Sequence, residues 1–552
     1  MRLRIFVGLF ASLVPLLALS GCSSPNRLEP NHTVRWVDPD QQPIVTPNRL
    51  EEYRNWDFVD HTLTYPIGKF LDLDWTGRRL GSLIGIGSGK QADNLNALGE
   101  VPNSSWFMNR HFWHPMSISD LKQGPGAKKP GASQLWRITR AKRHGVSAGF
   151  TIEDQDGETF VLKFDVKDWP EMASSAEVIS TKFLHASGYN VPQNSIVTFR
   201  RSQLTVDPGT VKLEMSDGSE RWMGDSDVDS ILAKTSIQPA GTYRAMASAY
   251  LDGDLLGPFR FHGRRRDDAN DRVDHEHRRE LRGLRVISSW LNDADRRTSN
   301  TMNLFVSTGG RKGYVRHYLI DMGSTLGSNS RIPHLPRYGE SYLWNPRQIA
   351  KKLILLGGAR EEPWERPVTS LSHPAIGYLT NAYFQPGKWF TAYPNPAFEW
   401  CGNLDGYWGA KIVMSFTNAQ ITAIVSTGEL SDPAAASALT ERLIERRNMI
   451  GRYWFSRVCP LDRFRIENSE LHFDDLGVIG QLDEKRSVSY SYRIGSQEWR
   501  NVSASEVELP TDHQDVWVEL RRSLSGSGSL SVRIRLKRIS GAWRVIEVQR
   551  SS

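Results

Sequence analysis

Cysteine is scarce in this sequence, with three in 552 residues, Cys22, Cys401 and Cys459. That excludes a disulfide-stapled scaffold, and no Cys-x-x-Cys pair is present to hold zinc or run redox chemistry. No His-Glu-x-x-His pair occurs either, so a zinc peptidase is not indicated, and a hydrolase is the weakest reading. After the first 22 residues no run approaches the ~18 apolar residues that a membrane-spanning helix needs. Charge of one sign is lacking too: 69 Lys and Arg against 62 Asp and Glu leave +7. The most basic run, RRRDDANDRVDHEHRRE at 264–280, interleaves acids throughout. It reads as a solvated mixed-charge face, with His275 and His277 solvated rather than metal-binding, and no nucleic-acid partner is implied. No internal repeat is visible. Content of 39% hydrophobic and 10% aromatic residues is that of a globular chain, and the length suits about two to four domains.

The first residues, MRLRIFVGLFASLVPLLALSGC, place Arg2 and Arg4 before an apolar stretch that runs through Leu19 to small residues and Cys22. This is the pattern of an export signal, not of a fold element. The tetrapeptide Leu19-Ser20-Gly21-Cys22 resembles the lipobox of bacterial lipoproteins. The resemblance implies that Cys22 carries diacylglycerol and fatty acyl chains such as palmitate. It also implies a body tethered in the cell envelope through the polar spacer SSPNRLEPNHT. Ser23 is compatible with sorting to the outer membrane, facing the periplasm or the cell surface. Cys401 and Cys459 then remain, and an exported compartment favours a disulfide between them, two isolated thiols being the alternative.

From about 30 to 130 the chain is rich in loop formers, including VPNSSWFMNRHFWHP and KQGPGAKKPGAS. LIGIGSGKQADN within it reads as a glycine turn, because Ile84 and Gln91 stand where a phosphate loop needs Gly and Ser or Thr. Next come strand-like alternation in LWRITRAKRHGVSAGFTIED, a turn at Asp156-Gly157, and the strand TFVLKFDV. A helix follows in EMASSAEVISTKFLHASG, closed by Gly188. A second amphipathic helix, ELRGLRVISSWL, leads into NDADRRTSN and a hairpin, LFVS and YVRHYLIDMG. Helices are expected to dominate from about 340 to 463, notably NPRQIAKKLILL, FTNAQITAIVSTG and the run opened by Asp432-Pro433. After Pro460, alternating strands separated by Gly and Ser predict a small all-β domain.

Phosphoryl transfer needs a cation on the nucleotide phosphates, an anion to hold that cation, oxygen ligands for Mg²⁺, and a carboxylate near the attacking hydroxyl. The sequence offers these in order. Lys163 lies mid-strand in FVLKF and Glu177 follows on the first long helix. Asp295 precedes Asn300 with the Asp-x4-Asn spacing of a kinase catalytic loop, and Asp321 ends a strand before Met322-Gly323. Each residue has a plainer reading: Lys163 snorkelling along a strand edge, Glu177 on a helix surface, Asp295 and Asn300 forming Asx turns, and Asp321 in a turn.

The ordered set resembles the atypical bacterial kinase fold, in the broad company of the HipA and CotH groups. VPNSSWFMNR, VLKFD, WLNDAD and RHYLIDMGSTLG are also similar to phrases of a family of exported bacterial proteins, over most of residues 90 to 465. The first resemblance implies an α+β fold with a two-lobed, protein-kinase-like core. Residues 23–130 would form the loop-rich extension, 131–255 an N-lobe, 256–463 a helical C-lobe and 464–552 the β-domain. It implies that Lys163 contacts phosphates, Glu177 orients it, Asp295 steers the acceptor hydroxyl, Arg297 neutralises the transferring group, and Asn300 and Asp321 bind Mg²⁺ or Mn²⁺. Asp293 and Asn303 would be accessory ligands, and Gly145 and Gly149 would let backbone amides approach the phosphates of ATP or another nucleotide. His-Arg-Asp and Ala-Pro-Glu segments are missing, and Met322 replaces Phe. The reading is a kinase-like phosphotransferase. The alternative is a non-catalytic envelope scaffold, pseudokinase-like, whose β-domain binds an unknown envelope protein.

Overall fold

The computed structural model describes residues 34–50, 90–142, 149–214, 219–342, 362–366, 368, 370–502, 505–526 and 528–551. The expected signal with Cys22, the glycine turn up to Gly89, Gly145, and the expected helix NPRQIAKKLILL lie outside these residues. The fold is mixed α+β, with strands in the first half, helices from 396 to 455, and strands again to the end.

A short strand β1 (Ile44–Val45) and the capped helix α1 (Ile118–Gln123) are the regular elements of the N-terminal segment. Its described residues are packed onto the rest of the protein, however. Trp106, Phe107, Phe112 and Leu121 are buried in the largest hydrophobic cluster, beside Phe183, Trp290 and Trp408. Asp40 is buried with them, accepting from the Ser105 N–H and hydroxyl. Aromatic side chains thus outweigh the loop-forming backbone around them.

β2 (Trp136–Lys142), β3 (Gly149–Glu153) and β4 (Thr159–Phe164) run antiparallel, with Gly157 supplying the positive φ that the β3–β4 turn needs. Helix α2 (Met172–Ala186) follows, then β5 (Asn194–Phe199), β6 (Leu204–Thr205), the ladder β7 (Lys212–Glu214) and β8 (Glu220–Trp222), helix α3 (Asp225–Leu232) and β9 (Tyr243–Ala249). These build a six-stranded sheet in the order β5-β9-β4-β3-β2-β6. One face buries Phe160, Leu162 and Phe164 against Val228 and Ile231 of α3, while α2 meets the other through Val178, Ile196 and Met246. After Ala186, Gly188 turns at φ 114 against the Phe107 ring, where a Cβ would lie 2.2 Å from it.

β10 (Asp254–Gly257), helix α4 (Arg279–Leu291), β11 (Thr301–Gly309) and β12 (Lys312–Leu319) come next, and the sheet order β1-β12-β11-β10 contains the expected hairpin. The run at 264–280 is not a solvated face. Arg265, Asp268, Asp271, His275, Arg278 and Arg279 are buried, and His275 sits on a 3-10 turn between Asp271 at 2.8 Å and the Arg260 carbonyl. Its alternating signs neutralise one another inside the protein instead of facing water. His277 is bound by Arg282 and packs edge-on to Trp400, so it is not solvated either.

The small ladder β13 (Ser328–Asn329) and β14 (Ile332–Pro333) precedes a stretch, 362–395, whose described residues form only short 3-10 turns. Prolines 363, 374, 386 and 394 interrupt the helices expected there. Helices then dominate as expected: α5 (Pro396–Glu399), α6 (Asn403–Met414), α7 (Asn418–Ser426) and α8 (Pro433–Phe455), the last capped by Asp432 accepting from the Ala434 N–H.

The C-terminal strands are β15 (Leu461–Glu467), β16 (Glu470–Asp475), β17 (Val488–Ile494), β18 (Arg500–Val502), β19 (Glu506–Glu508), β20 (Asp515–Leu524), β21 (Ser529–Ile539) and β22 (Ala542–Arg550). They form a three-stranded sheet, β15-β16-β19, and a five-stranded sheet, β18-β17-β20-β21-β22, around one apolar cluster. A buried charge network joins them to the helices: Lys411 of α6 pairs with Glu100 and Asp462, and Arg550 adds to Asp462 at 3.3 Å.

Cys401 and Cys459 are both free, correcting the expected disulfide. Cys401 lies near Arg285 and Asp405, whereas Cys459 is buried in the apolar cluster of the C-terminal strands. Burial pushes both thiols up, to about 12 and about 11, so neither is a reactive thiolate. Two thiols should therefore react with a disulfide reagent on unfolding without reductant, in chain lacking residues 1–22, and reductant should leave Tm unchanged. Lys411→Ala leaves the buried Glu100 without its cation and Asp462 with Arg550 alone, and is expected to destabilise the fold by about 3 kcal/mol in urea denaturation.

Candidate active site

Alternation along β4 decides the first component. Phe160, Leu162 and Phe164 face the sheet's core, so Lys163 faces the opposite way, across from α2. Its ammonium lies 3.2 Å from Glu177 and 3.0 Å from Asp321. Burial opposes the ammonium's charge, but Asp321 and Glu177 outweigh it and hold Lys163 above the usual lysine range. Glu177 is shifted up, first by burial and then by Asp321, with Lys163 opposing both.

Asp321 follows β12 with φ 57, a left-handed conformation that few residue types tolerate. Met322 behind it is fully buried in the main core and takes the apolar position expected of Phe. Gly323 lets the turn close: a Cβ there would meet Glu177 Oε2 at 3.1 Å and Ser330 Oγ at 3.2 Å. The Thr325 hydroxyl donates to the Met322 carbonyl and meets the Ser180 hydroxyl of α2 at 2.6 Å, fastening the turn to the same helix that carries Glu177.

The loop 292–300 supplies the rest. Asn300 ends a 3-10 turn and donates through Nδ2 to the Asp295 carbonyl at 2.7 Å and its carboxylate at 3.1 Å. Arg297 pairs with Asp295 at 3.0 Å and stacks over Tyr393 at 5.2 Å. Burial raises Asp295 to about 6, with Arg297 and Asn300 opposing and Asp321 adding to the rise. Behind the loop lies a residue that sequence reasoning missed. Arg296, fully buried, pairs with Asp293 and donates to the carbonyls of Asn300 at 2.8 Å and Ile320 at 2.9 Å. One guanidinium thereby holds the Asp295 loop against the strand end that presents Asp321. Its place three residues after Asp293 was the available signal.

These side chains line one cleft of about 1210 Å³, between the six-stranded sheet and the residues following α4. Lys163, Glu177, Asp295, Arg297, Asn300, Asp321 and Gly149 all border it. Four cations, Arg140, Lys163, Arg297 and Arg331, border it with four carboxylates, Asp168, Glu177, Asp295 and Asp321, so the lining is neutral when all are ionised. With the Asn300 amide beside them, this hard-oxygen set fits a divalent cation such as Mg²⁺ or Mn²⁺.

Other expectations fail. Asp293 is committed to Arg296 and does not border the cleft. Asn303 is buried in β11, bonded to His317 at 2.7 Å and to the Pro258 carbonyl. Gly149 borders the cleft, but its missing side chain serves the sheet, because a Cβ would lie 2.4 Å from the Leu162 carbonyl. Residues 145–149, GVSAG, also spell Gly-x-Ser-x-Gly. A nucleophile elbow joins a strand to a helix, whereas this stretch connects the antiparallel strands β2 and β3. Arg140, Arg331, Tyr338 and Tyr393 also border the cleft, and no motif marked them.

No family model matches the chain, and no curated protein does. Among solved structures it is similar to the Golgi casein kinase at 9% identity and a TM-score of 0.29, covering 61% of this chain and 75% of that one. It is likewise similar to the Golgi casein kinase with Mn/ADP bound, at 10% identity and a TM-score of 0.29, covering 60% and 74%. Likeness at that level carries no argument about fold or activity, so the reading of the cleft rests on its own residues.

Arg296→Ala leaves Asp293 buried without its partner and is expected to cost about 3–5 kcal/mol in urea denaturation. Asp295 gives a pH signature of known sign. Its folded pKa of about 6 lies above the ordinary aspartate value of 3.8, so the folded state binds the proton more tightly and ionisation of Asp295 destabilises it as pH rises through that interval. Asp295→Asn should accordingly gain about 2 kcal/mol relative to the parent near pH 7.5, and that gain should vanish by about pH 4.

Proposed function

We propose that this chain is a kinase-like phosphotransferase of the cell envelope, binding a nucleotide with Mg²⁺ or Mn²⁺ in the cleft and passing a phosphoryl group to an acceptor hydroxyl. The observation that supports this reading most is the contact of Lys163 with both Glu177 and Asp321, on the cleft that Asp295 and Asn300 also border.

In this reading Lys163 binds nucleotide phosphate oxygens and Glu177 keeps it extended across the cleft. Asp295, with its pKa near 6, accepts the acceptor's proton at working pH. The hydroxyl oxygen forms its bond to the terminal phosphorus as the bond from that phosphorus to the bridging oxygen breaks, and Arg297 neutralises charge on the transferred group. Asp321 and Asn300 would hold the divalent cation, which supplies charge neutralisation on the phosphates when bound. The two-lobed core, the separate C-terminal β-domain, the HipA and CotH likeness and the lipid at Cys22 belong to the same reading, supported by the sequence motifs.

Thermal stabilisation tests it in protein lacking residues 1–22. ATP with Mg²⁺ or Mn²⁺ should raise Tm, by the equivalent of about 2.7 kcal/mol at a hundredfold excess over Kd. ATP without metal should not, and Asp321→Ala should abolish the shift. No shift in a folded parent protein would leave the envelope scaffold as the better reading. Where transfer is detected, Asp295→Asn should lower its rate by about 10²–10⁴-fold with nucleotide binding retained.

A further inference from the structure

The C-terminal sheets carry a charge polarity that the cleft does not use. Val518, Leu520, Val532, Ile534 and Leu536 turn inward from the five-stranded sheet to the shared core, so the alternate positions face out. Six cations stand there against the carboxylates Asp515, Glu519 and Glu547. Arg493 pairs with Glu519, and Arg535 with Asp515 and Glu547. The other four, Arg521, Arg533, Lys537 and Arg544, have no carboxylate partner among the described residues.

Two of these, Arg521 and Arg533, lie over indole rings. Trp499 is met by Arg521 at 3.7 Å and Arg493 at 5.0 Å, and Trp517 by Arg533 at 4.8 Å and Arg535 at 5.9 Å. Contact with an indole ring restrains a guanidinium without using its N–H donors, so less side-chain entropy is lost on meeting an anion. The three-stranded sheet on the far side of the same core has the opposite sign. Glu467, Glu470 and Glu508 form one cross-strand row, joined by Asp474 and Glu506, against only Arg463 and Arg465.

We propose that the outer face of the five-stranded C-terminal sheet docks on the anionic headgroups of a lipid bilayer. The uncompensated cations supply the attraction, the tryptophans are of the type that settles at headgroup level, and the acidic face points the other way. The docking itself requires neither the lipid nor the cleft chemistry, so it stands or falls separately.

The test is co-sedimentation of the chain lacking residues 1–22 with vesicles of phosphatidylglycerol or of phosphatidylcholine. Binding is expected to phosphatidylglycerol only, and to fall steeply between about 50 and 500 mM salt. At about fivefold per cation, Arg521→Ala with Arg533→Ala should weaken it about thirtyfold with Tm unchanged. Arg311→Ala, on the exposed β11–β12 turn outside the C-terminal sheets, should have no effect. Equal binding to both lipids, no binding to phosphatidylglycerol, or an unaffected double variant would overturn the proposal. So would salt-sensitive self-association without vesicle binding, which would assign the basic face to the acidic face of a second copy.

Discussion

Arg296 is the constraint on which the cleft depends. The Asp295 loop and the Asp321 turn flank the β11–β12 hairpin, whose Thr301–Leu319 register and Ile320 N–H bond to the Asn300 carbonyl at 3.0 Å set the two segments side by side, leaving the path of the loop from 293 to 300 to be fixed. A buried guanidinium bonded to Asp293 and to the carbonyls of Asn300 and Ile320 fixes it. Arg suits the position because its planar fork satisfies several acceptors at once, which a lysine's point charge does not. Asp293 then balances the charge, and that is why it is withdrawn from the cleft.

The same device recurs through the structure. Arg244 with Asp165 ties β9 to the turn before α2, and Lys411 with Glu100, Asp462 and Arg550 ties the N-terminal segment to the helices and the last strand. Asp271 holds His275 and Arg278 beneath Trp106, which also stacks on His317 at 3.4 Å. Such pairs add little net stability over apolar packing, yet each is satisfied in one arrangement only. They specify how segments far apart in sequence meet, and the cleft inherits its geometry from that specification.

Polarity in the C-terminal strands follows a different rule. A strand shows alternate residues to opposite sides, so one set of positions builds the shared core and the other is free to carry charge. The two outer faces have taken opposite signs, basic with tryptophan on one sheet and acidic on the other. A surface polarised in this way orients a molecule in an electric field, which a uniformly mixed surface does not.

Local physics made much of this legible in the sequence. Strand alternation placed Lys163 away from its sheet's core, Gly157 and Gly188 marked a turn and a helix end, Asp432-Pro433 opened the longest helix, and the strands after Pro460 appeared as expected. The set Lys163, Glu177, Asp295, Arg297, Asn300 and Asp321 was readable because order and spacing along a chain survive folding. What sequence could not decide was which charges are inside. RRRDDANDRVDHEHRRE reads as a solvated face, and only the contacts with Trp106, Asp405 and Arg260 bury it. Asp293 and Asp295 are two residues apart and chemically alike, yet one is spent on a structural pair and the other opens to the cleft. Cys401 and Cys459 remain apart because each packs against a different neighbourhood. The sequence by itself determined the elements and the inventory of reactive groups, since both depend on near neighbours. Pairing, burial and the state of each charge were decided by the tertiary structure, because they depend on contacts between residues that the chain alone holds far apart.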